Sequence, residues 1–239
     1  MPLGGRLLLI FLTILMSQLS ISALNDWADR VPDGAAGRRR PVPLGLVSPA
    51  TAMGLAVLFA FGTVPGLVAF GTIPGLVLLL GLASGWAYDL WLKPTALSFL
   101  PFAVAFPLLP TWVGLIGGRS LRDFLWVLIA GVFLATAIHL ADSLPDISVD
   151  AASGQRTLAV RLGLQGTIIA IVTCLAIGGL VTIVATSRRS LLVGTLVFAA
   201  LAATLWVVLG ARWPQRIRWV AGGFAVLAAG VLIGALPSG

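Results

Sequence analysis

Two stretches of this chain repeat one pattern of aspartates: Asn25-Asp26-Trp27-Ala28-Asp29-Arg30-Val31-Pro32-Asp33 and Asp142-Ser143-Leu144-Pro145-Asp146-Ile147-Ser148-Val149-Asp150. The second stretch lies 117 residues after the first, and the match continues into the following loops, where Gly37 corresponds to Gly154 and Arg39 to Arg156. The protein has eight acidic residues, all of them Asp, and six lie in these two stretches. We call them the first and second aspartate clusters.

The spacing of the clusters indicates binding of a metal ion and a phosphate. Carboxylates are costly near hydrocarbon, so a chain that keeps its few acids in two places is expected to need them for function. Residues four apart project from one helix face, so each cluster can present a line of oxygens. Two such lines facing each other would hold hard divalent cations and, through them, a phosphate group. In the alternative interpretation, the aspartates only cap helix ends and the nearby arginines only fix topology.

The composition is that of an integral membrane protein. Apolar residues make up 59% of the 239 residues, charged residues make up 10%, and the mean hydropathy is +1.08. The net charge of +7 does not indicate a nucleic-acid partner, because the basic residues lie in short loops between apolar segments rather than on one soluble face. The single cysteine, Cys174, lies inside an apolar segment and is expected to be a packing residue.

Apolar segments long enough to span a bilayer recur along the chain, since a transmembrane helix needs roughly 20 residues. We expect an all-α integral membrane protein with about eight transmembrane helices, in two pseudo-repeated four-helix groups around a central cavity. The predicted segments are about 6–24, 46–62, 70–91, 97–117, 121–141, 165–186, 190–210 and 217–236. Residues 1–239 are predicted to form one polytopic domain with pseudo-repeat halves at about 6–117 and 121–236. Two long polar connections, 25–45 and 142–164, start at the aspartate clusters.

The distribution of Lys and Arg predicts that both clusters face the cytoplasm. With loop 25–45 inside, ten of the 15 basic residues lie on the inner side and five on the outer side. The inner residues are Arg30, Arg38, Arg39, Arg40, Lys93, Arg156, Arg161, Arg212, Arg216 and Arg218. This orientation places the N-terminus outside. In a competing interpretation, residues 1–23 are a cleaved signal peptide, which would leave seven helices and reverse the charge bias.

Other polar residues could complete a phosphate site. Arginines follow both clusters, and guanidinium groups bind phosphate oxygens well. Tyr88 and Lys93 stand at the end of the third apolar segment and could bind phosphate, or could form an interfacial aromatic belt with a snorkelling lysine. His139, the only histidine, precedes Asp142 by three residues. It could line the cavity and contact an acceptor hydroxyl, or could pack between helices.

These motifs resemble those of the UbiA superfamily of intramembrane prenyltransferases. The first signature of that family, Asn-Asp-x-x-Asp-x-x-x-Asp, is matched by the first cluster, and its basic-Pro-x-x-x-Gly element is similar to Arg40 through Gly45. The second signature ends in Gly-x-x-Thr-Leu and is matched by the second cluster with Gly154, Thr157 and Leu158. The resemblance covers essentially the whole chain in the family's order.

The resemblance extends to the family's Tyr–Lys element, which is similar to Tyr88 and Lys93. Members of the family have nine helices, in two four-helix halves plus one, with a lateral opening to lipid. The eight predicted segments correspond to the second through ninth of these helices. The resemblance therefore implies that the family's first helix has no counterpart here. It also implies that a nine-helix version would begin in the cytoplasm.

The resemblance implies an enzyme that transfers a prenyl group from an isoprenyl pyrophosphate to a lipophilic or aromatic acceptor of quinone-precursor type, through an allylic carbocation. The implied cofactor is Mg²⁺, the implied location is a cell inner membrane, and the active site is expected to face the cytoplasm. The expected metal ligands are Asn25, Asp26, Asp29, Asp33, Asp142, Asp146 and Asp150. The expected catalytic residues are Asp29, Asp146, Lys93 and Tyr88. The expected substrate-binding residues are Arg39, Arg40, Arg156, Lys93 and His139.

Two other classes of function use similar residues. A non-catalytic binding protein or permease for a phosphorylated isoprenoid or lipid could use the same charged cavity without cleaving its ligand. An intramembrane aspartyl protease could use Tyr88-Asp89, but the Gly-x-Gly-Asp partner of such proteases does not occur in this sequence. The resemblance implies that both signatures bind the pyrophosphate of the donor and do not contact the acceptor. The acceptor and the donor's chain length therefore depend on other helix-facing side chains.

Overall fold

The computed structural model describes residues 2–35 and 37–187, and every regular element within them is helical, which confirms the all-α prediction. Five stretches in this part of the chain are long and apolar enough to cross a membrane: Leu3–Ala28, Pro49–Ala69, Thr72–Leu92, Leu121–Ala152 and Leu158–Ala185. Leu100–Ile116 is a shorter apolar helix. The predicted segments 190–210 and 217–236 lie outside the described residues.

The chain divides into two compact units, Met1–Leu92 and Lys93–Gly239. The helices of the first unit are α1 (Leu3–Ala28), α2 (Arg30–Ala35), α3 (Pro49–Phe61), α4 (Val64–Ala69) and α5 (Thr72–Ala87), followed by a π-helical turn at Tyr88–Leu92. The described helices of the second unit are α6 (Leu100–Ile116), α7 (Leu125–Ser143), α8 (Ile147–Ala152) and α9 (Leu158–Ser187), with 3₁₀ turns at Leu121–Phe124 and Leu144–Asp146. The pseudo-repeat halves at 6–117 and 121–236 stay a prediction.

Small and hydroxyl side chains hold the helices of the first unit together. Helix α1 packs against α3, α4 and α5. The Ser20 hydroxyl donates to the carbonyl of Ala56 at 2.8 Å, and the Trp86 indole donates to the Ser20 hydroxyl at 3.1 Å, so one hydrogen-bonded chain joins three helices. Lipid is as apolar as a leucine side chain, so membrane helices associate through such bonds and through close packing of small residues.

The described core of the second unit lies along α7, which packs against α6 and α9. Leu134 and Leu140 of α7 are buried with Ile171 and Leu175 of α9. On the α6 side, Gly131 of α7 lies directly against Pro107, and a Cβ atom added to this glycine would overlap the proline ring. The absence of a side chain at Gly131 therefore permits the close approach of α6 and α7.

The two polar connections contain more helix than the sequence indicated. Helix α1 continues to Ala28 and is followed at once by α2, so the first cluster lies on helical backbone. The second cluster runs from the last turn of α7 into α8, and α9 begins at Leu158. Gly163, with φ 66° and ψ 179°, interrupts α9 near its start. The acidic residues lower the mean hydropathy of these last helical turns, so a hydropathy criterion ends the predicted segment too early.

We predict that Gly131→Ala destabilises the protein, because the added methyl group must displace the rigid Pro107 ring and separate α6 from α7. The expected cost is about 1–3 kcal/mol, the range for overpacking. The measurement is thermal unfolding of detergent-purified protein. Gly81→Ala is the matched control, since no atom lies within 4 Å of a Cβ at Gly81 in α5. That variant should match or exceed the wild-type Tm. Equal loss of stability in both variants would contradict the close-packing role of Gly131.

Candidate functional site

The first aspartate cluster follows a helical path across the junction of α1 and α2. The amide of Asp29 donates to the carbonyl of Asn25 at 2.9 Å, and the amide of Asp33 donates to the carbonyl of Asp29 at 2.8 Å. These bonds span four residues, so the helical period is kept at the point where one helix ends and the next begins. Asn25, Asp26 and Asp29 are half-buried and Asp33 is buried. The four-residue spacing therefore places Asn25, Asp29 and Asp33 along one side of the helical path.

Asn25 joins the first cluster to the end of α5. Its side-chain nitrogen donates to a carboxylate oxygen of Asp89 at 2.9 Å and to a carboxylate oxygen of Asp29 at 3.2 Å. Asp89 is buried and lies in the π-helical turn beside the half-buried Tyr88. The sequence prediction did not include Asp89 among the site residues. The signal that could have found it is an ionisable residue within an apolar segment, which is expected to have a functional partner.

Asp33 binds the arginines of the loop that follows the first cluster. Its carboxylate lies 3.3 Å from Arg38 and 3.9 Å from Arg40. The two guanidinium groups are largely exposed, so they keep access to an external ligand while one end is held by Asp33. Arg39, between them, is exposed. Asp33 therefore orients a group of cations in this structure, in addition to its predicted role toward a metal ion.

The loops after the two clusters contain the same hydrogen-bonded turn. In the first, the amide of Gly37 donates to the carbonyl of Gly34 and the amide of Arg38 to that of Asp33, while in the second the pairs are Gly154 with Ala151 and Gln155 with Asp150. Both glycines have positive φ, 64° and 80°. This pattern is a Schellman motif, whose left-handed residue is best supplied by glycine. The 117-residue repeat of the sequence is thus also a repeat of backbone geometry.

The second cluster is more open to solvent than the first. Asp142 in the last turn of α7 and Asp146 at the end of the 3₁₀ turn are exposed, whereas Asp150 in α8 is half-buried. Pro145 lies within the 3₁₀ turn and interrupts the regular α-helical path there. The three carboxylates therefore follow a helical segment of changing pitch rather than one ideal α-helix.

The segment that carries Lys93 lies against the loop that carries Arg156. The backbone amide of Arg156 donates to the carbonyl of Pro94 at 2.9 Å. Lys93 is half-buried and Arg156 is exposed. This contact brings two of the predicted phosphate-binding cations into neighbouring backbone segments of the second unit.

His139 is buried in the second unit and does not share the exposure of Asp142. Its Nε2 atom is hydrogen-bonded to the Ser98 hydroxyl at 2.9 Å, and its ring lies 4.6 Å from the ring of Phe102. His139 is 5% exposed and Ser98 is 1% exposed, so this contact fixes the segment before α6 to α7. The predicted contact of His139 with substrate stays a prediction, and the observed contacts are structural.

The cluster residues have the chemistry of a Mg²⁺ site that is completed by substrate. Within residues 2–35 and 37–187, no three His, Cys, Asp or Glu side chains come close enough together to hold a metal ion by themselves. Mg²⁺ is usually bound by one or two carboxylates, while waters and substrate phosphates complete its octahedral shell. Asp and Asn side chains supply the hard oxygen donors that this ion prefers. The donor set therefore fits Mg²⁺ that binds together with a phosphorylated ligand.

Solved structures of known proteins share this fold. A UbiA homologue from Aeropyrum pernix K1 has a TM-score of 0.75 and 20% identity, with 96% of this chain and 89% of that one covered. A UbiA homologue from Archaeoglobus fulgidus, bound to GPP and Mg²⁺, has a TM-score of 0.75 and 19% identity, with 92% and 87% covered. A structure of a digeranylgeranylglyceryl phosphate synthase has a TM-score of 0.76 and 10% identity, with 95% and 85% covered.

The sequence also matches known proteins directly. It is 28% identical to the digeranylgeranylglyceryl phosphate synthase of Korarchaeum cryptofilum (strain OPF8) in an alignment of 168 residues that covers 68% of this chain and 58% of that protein. The chain thus matches somewhat more than half the length of this curated relative. The sequence model of the UbiA prenyltransferase family matches residues 2–235, a range that includes both aspartate clusters and the turns that follow them. The chain therefore belongs to the UbiA prenyltransferase family.

Proposed function

We propose that this protein is a Mg²⁺-dependent prenyltransferase, which transfers the prenyl group of an isoprenyl pyrophosphate to a nucleophilic acceptor. The observation that carries the proposal is the duplicated site: each aspartate cluster is followed by the same glycine turn and by an arginine. Family membership supports the reaction class. The Archaeoglobus fulgidus homologue was solved with GPP and Mg²⁺ and also with DMAPP and Mg²⁺, which supports the donor and the cofactor.

In this proposal the carboxylates of each cluster hold Mg²⁺, and cations stabilise the leaving pyrophosphate. Asp29 and Asp146 are the principal Mg²⁺ ligands, and the supporting donors are Asn25, Asp26, Asp33, Asp142 and Asp150. When bound, Mg²⁺ neutralises pyrophosphate charge, which weakens the bond to the prenyl carbon. Asp33 contributes in a second way, because it holds Arg38 and Arg40 in the loop beside the first cluster.

The basic residues act where charge develops. As the bond between the allylic carbon and oxygen breaks, the electron pair leaves with the pyrophosphate, and preorganised cations stabilise it. We assign this role to Lys93 and Arg156, with Arg39, Arg40 and the Tyr88 hydroxyl assisting. The acceptor then forms a bond to the allylic cation and loses its proton. The apolar side chains of the helices exclude water, which would otherwise capture the cation.

The acceptor expected from the sequence is aromatic, of quinone-precursor type. The relative that is 28% identical to this chain points to a different class of acceptor. That relative is named for the synthesis of digeranylgeranylglyceryl phosphate. We therefore propose a prenylated glyceryl phosphate as the acceptor, and a glycerol hydroxyl as the nucleophile. Such an acceptor carries its own phosphate, so it also needs cations. The protein has 15 Lys and Arg residues and a net charge of +7, which suits two anionic substrates.

We also propose that the protein is a multi-pass protein of the cell inner membrane with both clusters facing the cytoplasm. The support is the distribution of Lys and Arg, ten on the cluster side and five on the other. Water-soluble pyrophosphate would then be released into the cytoplasm. Reactivity of single introduced cysteines toward an impermeant thiol reagent on intact cells tests this orientation.

The central prediction concerns the two principal metal ligands. Asp29→Asn and Asp146→Asn each remove one negative charge and keep the side-chain shape, so each should lower kcat/KM for the prenyl pyrophosphate at least about 100-fold. The measurement is Mg²⁺-dependent pyrophosphate release by detergent-purified protein, offered isoprenyl pyrophosphates of increasing chain length. Asp123→Asn is the matched control, because Asp123 lies outside both clusters and pairs with Arg119 at 3.2 Å. Its activity should stay within about twofold of wild type.

The same assay separates catalysis from binding alone. If wild-type protein binds a prenyl pyrophosphate and releases no pyrophosphate with any acceptor, the transferase proposal is wrong and a binding protein or permease is favoured. If release occurs and neither cluster variant is impaired, the assignment of the metal ligands is wrong.

The acceptor is tested by competition between substrate classes. We expect product formation with a geranylgeranylglyceryl phosphate to exceed that with hydroxybenzoate or hydroxynaphthoate by at least about tenfold in kcat/KM, a difference of roughly 1.4 kcal/mol in transition-state binding. Mass spectrometry distinguishes the ether formed by prenylation of a glycerol hydroxyl from the ring-prenylated product of an aromatic acceptor. A preference for the aromatic acceptors would overturn the glyceryl phosphate proposal and leave the transferase assignment intact.

A further inference from the structure

Asp89 is a carboxylate buried at the end of a membrane helix, outside both aspartate clusters. It is 8% exposed and lies in the π-helical turn that follows α5. A π turn is rare, occurs frequently at functional sites, and shifts the side chains after it around the helix axis. An ionisable residue at such a position is costly, and its retention calls for a partner and a function.

Asp89 accepts a hydrogen bond from Asn25, whose amide group binds two carboxylates at once. The amide nitrogen donates to Oδ1 of Asp89 at 2.9 Å and to Oδ2 of Asp29 at 3.2 Å. An amide nitrogen has two hydrogens, so these bonds use its full donor capacity. Because the amide is planar, a hydrogen bond to Asp89 fixes the direction in which the second hydrogen points. The orientation of the amide in turn restricts the carboxylate of Asp29.

We propose that Asp89 is a positioning residue for the metal site, acting through Asn25 on the carboxylate of Asp29. The inference deepens the proposed prenyltransferase function and rests on it. Groups that orient metal ligands through hydrogen bonds typically change metal affinity 10–100-fold when they are removed. Asp89 itself is not assigned contact with the metal ion or the substrate.

A purely structural role for Asp89 is not needed to join these helices. The Trp86 indole, three residues earlier on α5, already donates to Ser20 of α1 at 3.1 Å, and Ser20 bonds the Ala56 carbonyl of α3. This contact lies about one turn before Asn25 along α1. A neutral residue at position 89 would also avoid the cost of a buried carboxylate. Trp86→Phe therefore provides a matched control, because it removes another bond between α1 and α5 and leaves the Asn25 contacts in place.

The experiment compares Asp89→Leu, Asp89→Asn and Trp86→Phe in the full-length protein. Leucine has a similar size and no acceptor, while asparagine keeps an oxygen that can accept from Asn25. We expect Asp89→Leu to raise the Mg²⁺ concentration for half-maximal pyrophosphate release at least about tenfold. Asp89→Asn should stay within about threefold of wild type, and Trp86→Phe should show no change in Mg²⁺ dependence even if its Tm falls.

A binding measurement makes the test independent of turnover. Mn²⁺ is titrated in the presence of inorganic pyrophosphate and followed by electron paramagnetic resonance, and the apparent Kd of Asp89→Leu should rise at least about tenfold. If that variant does not fold, Asp89→Ala replaces it. An unchanged Mn²⁺ Kd in a folded Asp89 variant, or an equal increase in Trp86→Phe, overturns the positioning role. Inactive wild-type protein would instead refute the proposed function. The Mn²⁺ comparison among the variants does not depend on turnover, so it would still test the positioning role of Asp89.

Discussion

The cost of placing a carboxylate in or near hydrocarbon governs much of this structure. Such a group is tolerated only where it is hydrogen-bonded, paired with a cation or within reach of water. Each of these solutions occurs in the described part of the chain. Asp142 in the last turn of α7 and Asp146 in the 3₁₀ turn after it are exposed. Asp33 is paired with arginines, and Asp89 accepts a hydrogen bond from Asn25.

Close helix packing provides the rigid frame on which the polar groups are held. In lipid the association of helices depends on van der Waals contact and hydrogen bonds. Gly66 lies against Thr13, and Gly131 lies against Pro107, so glycine permits near contact in both units. Trp86 and Ser20 add a hydrogen-bonded link about one helical turn before the first cluster along α1. A site that must hold carboxylates at fixed positions requires this kind of support, because small displacements of ligands reduce metal affinity.

The sequence was sufficient to predict features that depend on local spacing. Runs of apolar residues predict the membrane segments of the described part and the all-α class. The regular spacing of aspartates predicts the repeat. The contact between Asn25 and Asp89 joins residues 64 positions apart, so no local period could indicate it. Likewise, the sequence left open whether His139 lines the cavity or packs between helices, and its contacts with Ser98 and Phe102 depend on tertiary structure. Which helix neighbours which face is decided by tertiary packing, and a single sequence does not contain that information in readable form.

The π-helical turn at Tyr88–Leu92 has a consequence for how the length of this chain can vary. A π turn holds one more residue than an α turn, so it is equivalent to a single-residue insertion stored within a helix. Deleting one residue there would restore the α-helical pitch and rotate the neighbouring side chains by about 100° relative to each other. Asp89 could not then keep its place against Asn25 while the rest of α5 kept its packing on α1. Homologous chains that preserve this contact are therefore constrained in residue number at this turn, whatever their side-chain identities elsewhere in the helix.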